Sequence, residues 1–549
     1  MRNLLLASTL TLLVTSACND EVGALPEPPV LKITSPQRSL IRDHAGSIEV
    51  TGTVQPSVDG SPVKKVMVNG VAATVNTDGT FTAQLNLAAG ATLITTTAEA
   101  KNGGKATDTR SVEAGQLRAP GSNIENAVTT AISKEAFAKI AGAGGTMLKA
   151  MDFKPMLTPM NPIAHTGDEG GEDCLFARGY VDDFKMSNAT IQLVPVVGGL
   201  SMSIKLDGVD VPGHARYAAA CISGSNNLRV QASSVLVKGT LMITPDGMAG
   251  FKTDLKNETV QITGLNISAS GIPGTILDML PLESLIEKAA PLAAKLFMGP
   301  MMNKALGGLG GPKELNVLGK TISMQVSPSD IMFDAEGGLI TLDMKMLIKG
   351  TESSKGFIFT DNGIPTMDPG SGLMIGLADD LANSMVSQLV ATGMLNLSMP
   401  AQGGTFNKTE IAMTSPPMIS ADPVDGKMKL VLPDMMATFT LDGSPVGRAA
   451  INATVDLKIT PALNGYGVAI ELGKPEIHAN TVEDEIQNHT MMTDEDLGKA
   501  VELCLDSQIS SISALLGSIP LPAMPAGIVM TNMSVTSDDG YVMVKGTLQ

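Results

Sequence analysis

Residues 200–206 read LSMSIKL, and residues 451–459 read INATVDLKI. In both segments an apolar side chain alternates with a polar or small one. Successive side chains of a β-strand point to opposite faces of the sheet, so strict alternation indicates a strand with one apolar and one solvated face. Such strands are typical of antiparallel sheets. The body of the chain is therefore predicted to be built on antiparallel sheets.

A strongly apolar helix is predicted after each set of strands. Residues 272–305 are apolar around most of a helix, which therefore needs cover on most sides. Residues 497–516 place an apolar side chain at every third or fourth position, and Thr493 followed by Asp496 predicts the N-terminal cap of this helix. Two strand-rich modules with such helices predict elongated barrels around apolar material. Lipid is the ligand class that this favours.

A further helix is predicted at Ser122–Met151, from the apolar residues Val128, Ile132, Ala136 and Ile140. A group of three glycines interrupts it, and each glycine costs about 1 kcal/mol relative to alanine in a helix. Close packing against another element or a bend would each explain why glycines stand there. The sequence leaves both explanations open.

The composition points to a multidomain protein that handles apolar material. The chain has 549 residues, 43% of them hydrophobic, with 34 methionines and only 3% aromatic residues. A length of this size predicts three or four domains. Flexible thioether side chains suit a pocket for varied acyl chains, although a composition bias explains them equally well. The net charge of −17 argues against nucleic acid as a partner and against a polybasic membrane patch.

The N-terminus has the features of an export signal followed by a membrane anchor. Arg2 carries a positive charge, Leu4–Val14 form an apolar run, and small residues precede Cys18. The run is shorter than the ~20 apolar residues that a transmembrane helix needs, so we predict a signal peptide at 1–17. The junction resembles a bacterial lipobox, which implies lipidation of Cys18 and a lipid-anchored tether at 18–29. A secreted protein with an unmodified cysteine is the alternative.

Export makes disulfide bonds possible. Cys174 and Cys221 flank one strand-rich segment, and a bridge between them would stabilise the fold by about 4 kcal/mol in the chain-entropy model. Cys504 stands in the second apolar helix, where it is predicted to be a small buried hydrophobe.

Residues 30–114 are predicted to form an all-β sandwich. The pairs Asn69-Gly70 and Asp78-Gly79 supply the positive φ that tight hairpins need, between strands spaced at about ten residues. This segment resembles the immunoglobulin-like modules of bacterial surface proteins. Because it has neither Trp nor Tyr to stack on a sugar, a spacer role is expected.

The body of the chain, Ser122–Leu548, resembles a known lipid-binding family. ISKEAFAKIAGAGGTMLKAM (132–151), VQITGLNISASGIPGTILDMLPLESLIEKAAPLAAKLF (260–297) and IPLPAMPAGIVMTNMSVTSDDGYVMVKGTL (519–548) follow one another in the order seen in bactericidal/permeability-increasing protein and its relatives in the tubular lipid-binding superfamily. The resemblance implies an α+β fold. Two elongated antiparallel β-barrels, each wrapped on long helices, would be joined by a central sheet into a boomerang.

The implied domains after the immunoglobulin-like sandwich are a first lipid-binding barrel at 122–313, and central-sheet strands with a second lipid-binding barrel at 314–549. In that family the helices line the lipid pockets. Carried over, the resemblance implies that the first pocket is lined by Ile140, Met147, Leu148, Met151, Ile276, Leu277 and Leu280. It implies that the second pocket is lined by Leu381, Met385, Leu389, Val501, Leu505 and Ile512.

The expected function is non-enzymatic binding, or transfer, of phospholipid or another acyl lipid at the bacterial cell envelope, with the anchor in the outer membrane. A surface adhesion or structural lipoprotein with filled barrels is the alternative. No common catalytic motif, metal-binding motif or cofactor fingerprint is present, so no catalytic residue, metal or cofactor is predicted. Family members that bind lipopolysaccharide carry a basic tip, and the lysines here are scattered singly, so charge-based capture of lipopolysaccharide is not expected.

Overall fold

The computed structural model divides into two compact units. One contains Met1–Gln37, Ser47–Leu85 and Ile94–Thr109, and the other contains Arg38–Gly46, Asn86–Leu93 and Arg110–Gln549. The structure describes residues 26–169, 175–247, 250–274, 276, 313–317, 320–393, 405–421, 428–461, 467–482, 489–490, 492–502, 519–520, 529–538 and 540–549.

The N-terminal segment is an all-β module. Its strands are β1 Val30–Ser35, β2 Leu40–Arg42, β3 Gly46–Gln55, β4 Val63–Val68, β5 Val71–Ala72, β6 Thr74–Val75, β7 Thr80–Leu87, β8 Gly90–Ala100 and β9 Lys105–Ala114. They form two sheets, in the orders β1-β3-β7-β6 and β2-β9-β8-β4-β5. Asn69 and Gly70 both have positive φ in the β4–β5 turn, as does Gly79 before β7. The turn chemistry and the predicted immunoglobulin-like character both fit this module.

The rest of the chain continues mainly as strand. The strands are β10 Gln116–Arg118, β11 Asn123–Ser133, β12 Ala164–Thr166, β13 Phe176–Val181, β14 Asn188–Val196, β15 Gly199–Ala219, β16 Ile222–Pro245, β17 Phe251–Thr263, β18 Asn266–Ser268, β19 Lys313–Val317, β20 Lys320–Phe333, β21 Gly337–Ile348, β22 Phe357–Phe359, β23 Leu373–Ala378, β24 Lys408–Ala412, β25 Met418–Ala421, β26 Met428–Leu441, β27 Ser444–Pro461, β28 Gly467–Val482, β29 Ile519–Pro520, β30 Met530–Asp538 and β31 Tyr541–Leu548. The helices are α1 Lys134–Ala150, α2 Lys154–Leu157, a 3-10 turn at Thr158–Met160, and α3 Asp379–Ala391. Residues 494–502 are also helical.

Three large sheets organise these strands. The first sheet has the order β12-β13-β15-β16-β17, with β14 paired to β15 and β18 to β16. The central sheet has the order β19-β20-β21-β11-β23-β31-β30. The second sheet has the order β24-β26-β27-β28-β29, with β25 paired to β26. The described pairs within all three sheets are antiparallel, as the alternating segments predict.

Burial confirms the alternation in both opening segments. Leu200, Met202, Ile204 and Leu206 are buried, whereas the intervening residues are exposed or half-buried. The apolar residues of β27 are buried in the same way up to Leu457. The exception is Asn452, a polar residue of this strand that is fully buried because its amide bonds to another buried side chain. One apolar cluster extends from the first sheet and α1 through the central sheet to the second sheet.

The predicted fold class, an α+β fold of two elongated barrels wrapped on long helices, is wrong. The part of the chain that the structure describes is mostly β, and the helices in it are few and short. The longest described strands, β15 and β16, have 21 and 24 residues, whereas α1 has 17 and α3 has 13. Long neighbouring strands pair with each other along their length, so sheets bury most of the apolar surface.

The predicted helix at Ser122–Met151 is one origin of this error. Asn123–Ser133 form β11, in the middle of the central sheet, and the helix begins only at Lys134. The apolar spacing of four that predicted the helix is also a multiple of two. Val128 and Ile132 therefore share one face in a strand as well as in a helix. Periodicity alone does not distinguish the two conformations here.

The glycines of α1 mark close packing. A Cβ atom on Gly145 would lie 2.8 Å from the carbonyl oxygen of Ala189, in the backbone of β14. A Cβ atom on Gly142, in contrast, would meet nothing within 4 Å. The helix therefore approaches the first sheet at Gly145, where any larger residue would collide with backbone atoms.

Candidate functional site

A cleft lies between the second sheet and the central sheet. Its volume is about 430 Å³. Strands β26, β27 and β28 form one wall, and β30 and β31 form the other. Its lining residues are Met428, Asp456, Leu457, Lys458, Ile459, Glu471, Leu472, Gly473, Val535, Thr536, Ser537 and Val542.

Strand register produces the apolar wall on the second sheet. Met428 pairs with Leu457, and Leu457 pairs with Leu472, so these three side chains form a row across three strands. Directly paired residues point to the same face of an antiparallel sheet. On the facing wall, Val535 and Val542 contribute apolar side chains from the two strands at the edge of the central sheet.

A β-bulge shapes the same wall. Val455 pairs with Pro475 and Leu457 pairs with Leu472, so Gly473 and Lys474 of β28 together oppose the single residue Asp456 of β27. A bulge of this kind bends the strand and increases its local twist. Gly473 is part of the bulge, and a Cβ atom there would lie 3.2 Å from the carbonyl oxygen of Asp456 on the facing strand. The small residue allows the two backbones to approach at this point of the cleft.

The mouth of the cleft is polar. Lys458 Nζ lies 3.5 Å from Glu471 Oε2, and their side chains are 73% and 64% exposed. Exposed ion pairs contribute little to stability, because water screens both charges. Asp456 is also exposed, so the mouth presents one cationic and two anionic side chains above the apolar wall.

An apolar cleft with polar groups at its mouth can take up a ligand with an apolar chain and a polar end. Ligand sites in proteins commonly have volumes of about 300–1,000 Å³ and mainly apolar walls. Among the described residues, no group of three or more His, Cys, Asp or Glu side chains is arranged to hold a metal ion. In the same part of the chain, no helix is long and apolar enough to cross a bilayer.

The helical residues implied to line the first pocket lie in packed surroundings. Ile140, Leu148 and Ile276 are buried in the main apolar cluster. Met151 is half-buried against that cluster, and Met147 is half-buried. Leu277 and Leu280 lie outside the described residues. None of the described residues in this set borders the cleft, and their role in lipid binding stays a prediction.

The residues implied to line the second pocket are distributed similarly. Leu389 packs with Ile322, Met346 and Ile348, and Val501 is buried in the main cluster. Leu381 and Met385 are half-buried against the apolar core. Leu505, Ile512 and Cys18, the predicted site of lipidation, are outside the described part of the chain.

The position of Cys221 agrees with the predicted disulfide. Cys221 is disulfide-bonded and lies in the β15–β16 turn. Phe176, two residues after Cys174 in the sequence, pairs with Ala218, which is three residues before Cys221. Cys174 itself is not among the described residues, so the pairing of the two cysteines stays a prediction.

A closed polar cluster at the start of α3 was missed by the sequence reasoning. Asp380 is buried, and the backbone N–H of Thr360 donates to its Oδ1 at 3.0 Å. Burial raises the pKa of Asp380 to about 7. Asn362 Nδ2 donates to Thr360 Oγ1 at 2.9 Å, and Tyr541 donates to the carbonyl oxygen of Gly363 at 2.6 Å. Asp380, Thr360 and Asn362 therefore form a chain of hydrogen bonds that holds the start of α3 against the segment after β22.

The resemblance implied pockets lined by helices, and this cleft is a different feature, lined by strands. The apolar alternation of 451–459 already included Leu457 and Ile459, so the residues themselves carried a signal. The sequence does not show that these residues face a second sheet across a cleft.

The Thr493–Asp496 cap was predicted correctly, since Asp496 N–H donates to Thr493 Oγ1 at 3.2 Å and Thr493 Oγ1 donates to Asp496 Oδ2 at 2.8 Å.

Similarity to known proteins is limited. Residues 29–116 match the family model of Glucodextranase, domain B. No curated protein matches the chain. A solved structure, "Crystal structure of lipopolysaccharide binding protein", is similar with a TM-score of 0.38 and 13% identity, over 78% of this chain and 99% of that chain. The family match covers the N-terminal module and agrees with its immunoglobulin-like sheets.

Proposed function

We propose that the protein binds the acyl chain of a lipid in the cleft between the second sheet and the central sheet. The observation that carries the proposal is the row Met428, Leu457 and Leu472 facing Val535 and Val542 across a volume of about 430 Å³. Each CH₂ group removed from water contributes about 0.8 kcal/mol to binding. The charged mouth leaves the polar end of the ligand in solvent.

The proposed role needs no catalytic step, because burial of the apolar chain supplies the affinity. It also includes export and attachment to the outer membrane of a bacterial envelope through Cys18. That part rests on the sequence of the N-terminus, where an apolar run and small residues precede the cysteine.

A structural or adhesive role is the second candidate. It is favoured by the burial of Ile140, Leu148 and Leu389, helical residues that pack in apolar clusters. A protein whose interiors are entirely filled would take up no lipid, which separates the two candidates.

The test fills the cleft with a large side chain. Leu472 lines the cleft and is half-buried, and Ile477 lies on the same strand, half-buried outside the cleft. We expect Leu472→Trp to lower the affinity for a phospholipid with a fluorescent acyl chain at least tenfold, because the indole occupies the space of the ligand. Ile477→Trp is the matched control and should bind as the wild type does.

Fluorescence titration of both variants and native mass spectrometry of the purified wild type provide the measurements. Circular dichroism checks that each variant is folded. Absence of both co-purifying lipid and probe uptake in the wild type contradicts lipid binding and favours the structural role. Equal loss in both variants contradicts the assignment of the cleft.

A further inference from the structure

A second cluster of buried polar groups surrounds Asp434, in the second compact unit. Asp434 lies at a bulge in β26, is fully buried and has a φ of +36°. Asp is one of the few residues that adopts this left-handed conformation at low cost. The bulge directs the backbone and the carboxylate of Asp434 towards three other segments.

Those segments all bond to the Asp434 carboxylate. Ser39 N–H donates to Oδ2 at 2.7 Å, and Arg38 Nη1 donates to Oδ1 at 3.1 Å. From β9, Ser111 donates to Oδ2 through both its N–H and its hydroxyl, each at 3.0 Å. From β27, Asn452 Nδ2 donates to Oδ1 at 3.0 Å. Asp434 therefore joins 38–39, β9 and β27, and its negative charge is well compensated.

Glu113 is the uncompensated member of this cluster. It lies two residues after Ser111 on β9 and is fully buried, yet neither of its carboxyl oxygens has a hydrogen-bond partner among the described residues. The hydroxyl of Ser415 is buried beside it and favours the ionised form, but the two groups do not make a hydrogen bond of ordinary geometry. A buried carboxylate without hydrogen bonds is costly, so the neutral acid is the stable form in this position.

The surroundings of Glu113 raise its pKa on balance. Burial raises the pKa of Glu113 to about 8, the Ser415 hydroxyl beside it lowers this pKa in part, and the carboxylate of Asp434 on β26 adds to the increase. Lys355, before β22, opposes it, but its ammonium group is exposed and donates to the carbonyl oxygens of Met413 and Thr414 at 2.9 and 3.0 Å. Arg38 is committed to Asp434.

We propose that Glu113 makes the contact between β9 and the β26 bulge pH-dependent: the contact is closed while Glu113 is protonated, and loss of this proton opens it. When Glu113 is ionised, a second buried negative charge lies near Asp434 with only the Ser415 hydroxyl beside it. Opening exposes Glu113 to water and releases Ser39 and Ser111 from Asp434. This device is independent of the lipid cleft and of its proposed function.

The pH profile follows from the two states. Glu113 has a pKa of about 8 when the contact is closed and an ordinary value near 4.5 when it is open. The contact is therefore most stable below pH ~4.5 and weakens as the pH rises. Opening increases about tenfold per pH unit between these values and levels off above pH ~8, since one pKa unit corresponds to a factor of ten in the equilibrium.

Hydrogen exchange mass spectrometry of the full chain, from pH 5.5 to 9, tests this profile. In peptides covering 38–42 and 110–116, the exchange rate of the wild type relative to Glu113→Gln should rise about tenfold per pH unit and level off near pH 8. Gln has the shape of the neutral acid and does not titrate, so the ratio cancels the intrinsic pH dependence of exchange. Asp108→Asn, on the same strand, is the charge control and should behave as the wild type.

If Glu113→Gln does not fold, the wild type provides the test by itself. Its peptides from β9 are then compared with peptides from α1, after correction for intrinsic exchange rates. A steeper pH dependence in β9 supports the proposal. An equal dependence in both, or the same slope in Glu113→Gln as in the wild type, overturns it.

Discussion

Several acidic residues of this fold have buried carboxyl groups that bear on its stability. Asp434, Asp380 and Glu113 are each almost inaccessible to water, but they differ in their partners. The carboxylate of Asp434 accepts five hydrogen bonds from side chains and backbone, whereas Glu113 has only the Ser415 hydroxyl beside it, outside ordinary hydrogen-bond geometry. Partners decide whether a buried acid is held as a carboxylate or as a neutral acid. Asp434 and Glu113 therefore differ in the same buried cluster, because donors surround the first carboxyl group and almost none surround the second.

Because the pKa of Asp380 is raised by burial, we expect the free energy of unfolding to fall as the pH rises. Its folded-state pKa of about 7 is higher than its ordinary value of 3.8 because of burial. The folded state therefore holds the proton more tightly than the unfolded state, and this stabilisation is complete below pH ~4 and lost as the pH rises through 7. Asp380→Asn should flatten the dependence of the unfolding free energy on pH between 4 and 7, by up to about 1.4 kcal/mol per pH unit.

Urea denaturation at a series of pH values measures this effect. Glu135→Gln is a suitable control, because Glu135 also stands in the first turn of a helix but is exposed. An identical slope for the wild type and Asp380→Asn would show that Asp380 is ionised throughout this range.

At the scale of elements, the packing of α1 on β14 sets the position of the helix on the first sheet. The sequence left open whether its glycines allow close packing or a bend. Gly145 approaches the backbone of Ala189 closely, so close packing explains the glycine at that position. Gly142 contacts nothing on this side and only lowers the helix propensity.

These two glycines predict opposite effects of the same substitution. Gly142→Ala should raise the unfolding free energy by up to about 1 kcal/mol, since alanine favours helix and meets no neighbour. Gly145→Ala should lower it by about 1–3 kcal/mol, because its Cβ would overlap a backbone oxygen that cannot move aside cheaply. Thermal or urea unfolding measures both changes. Similar stabilities for the two variants would contradict the close contact.

At the scale of the whole molecule, the proposed function combines a ligand cleft with attachment to a membrane. The cleft depends on the facing of two sheets, and the attachment depends on one cysteine of the N-terminus. The two parts are separable, because Cys18 is far in sequence from every residue that lines the cleft.

If the protein is attached to the membrane through Cys18, replacing this cysteine should change the cell fraction in which the protein is found. Cys18→Ser should move the protein from the membrane fraction to the soluble fraction and abolish labelling by a radioactive fatty acid, because the acylated sulfur is lost. Immunoblotting of separated fractions provides the measurement, with Cys504→Ser as the control. A membrane-bound, unlabelled wild type would favour an attachment that does not use Cys18.

Much of the local structure of this protein can be predicted from its amino-acid sequence. Alternation located β15 and β27, Asn-Gly and Asp-Gly pairs located hairpin turns, and Thr493 with Asp496 located a cap. Each of these depends on interactions between residues that are close in sequence. The helical assignment before Lys134 failed because an apolar spacing of four fits a strand and a helix equally.

Tertiary folding sets which of these side chains meet. The cleft unites residues of β26–β28 with residues of β30 and β31, and the acid cluster unites Glu113 with Asp434 across more than half of the chain. Long-range strand pairing and burial create both, and neither leaves a periodic signal in the sequence. Burial also decided the protonation of Glu113, since a glutamate in the sequence has an ordinary pKa until the fold removes its water.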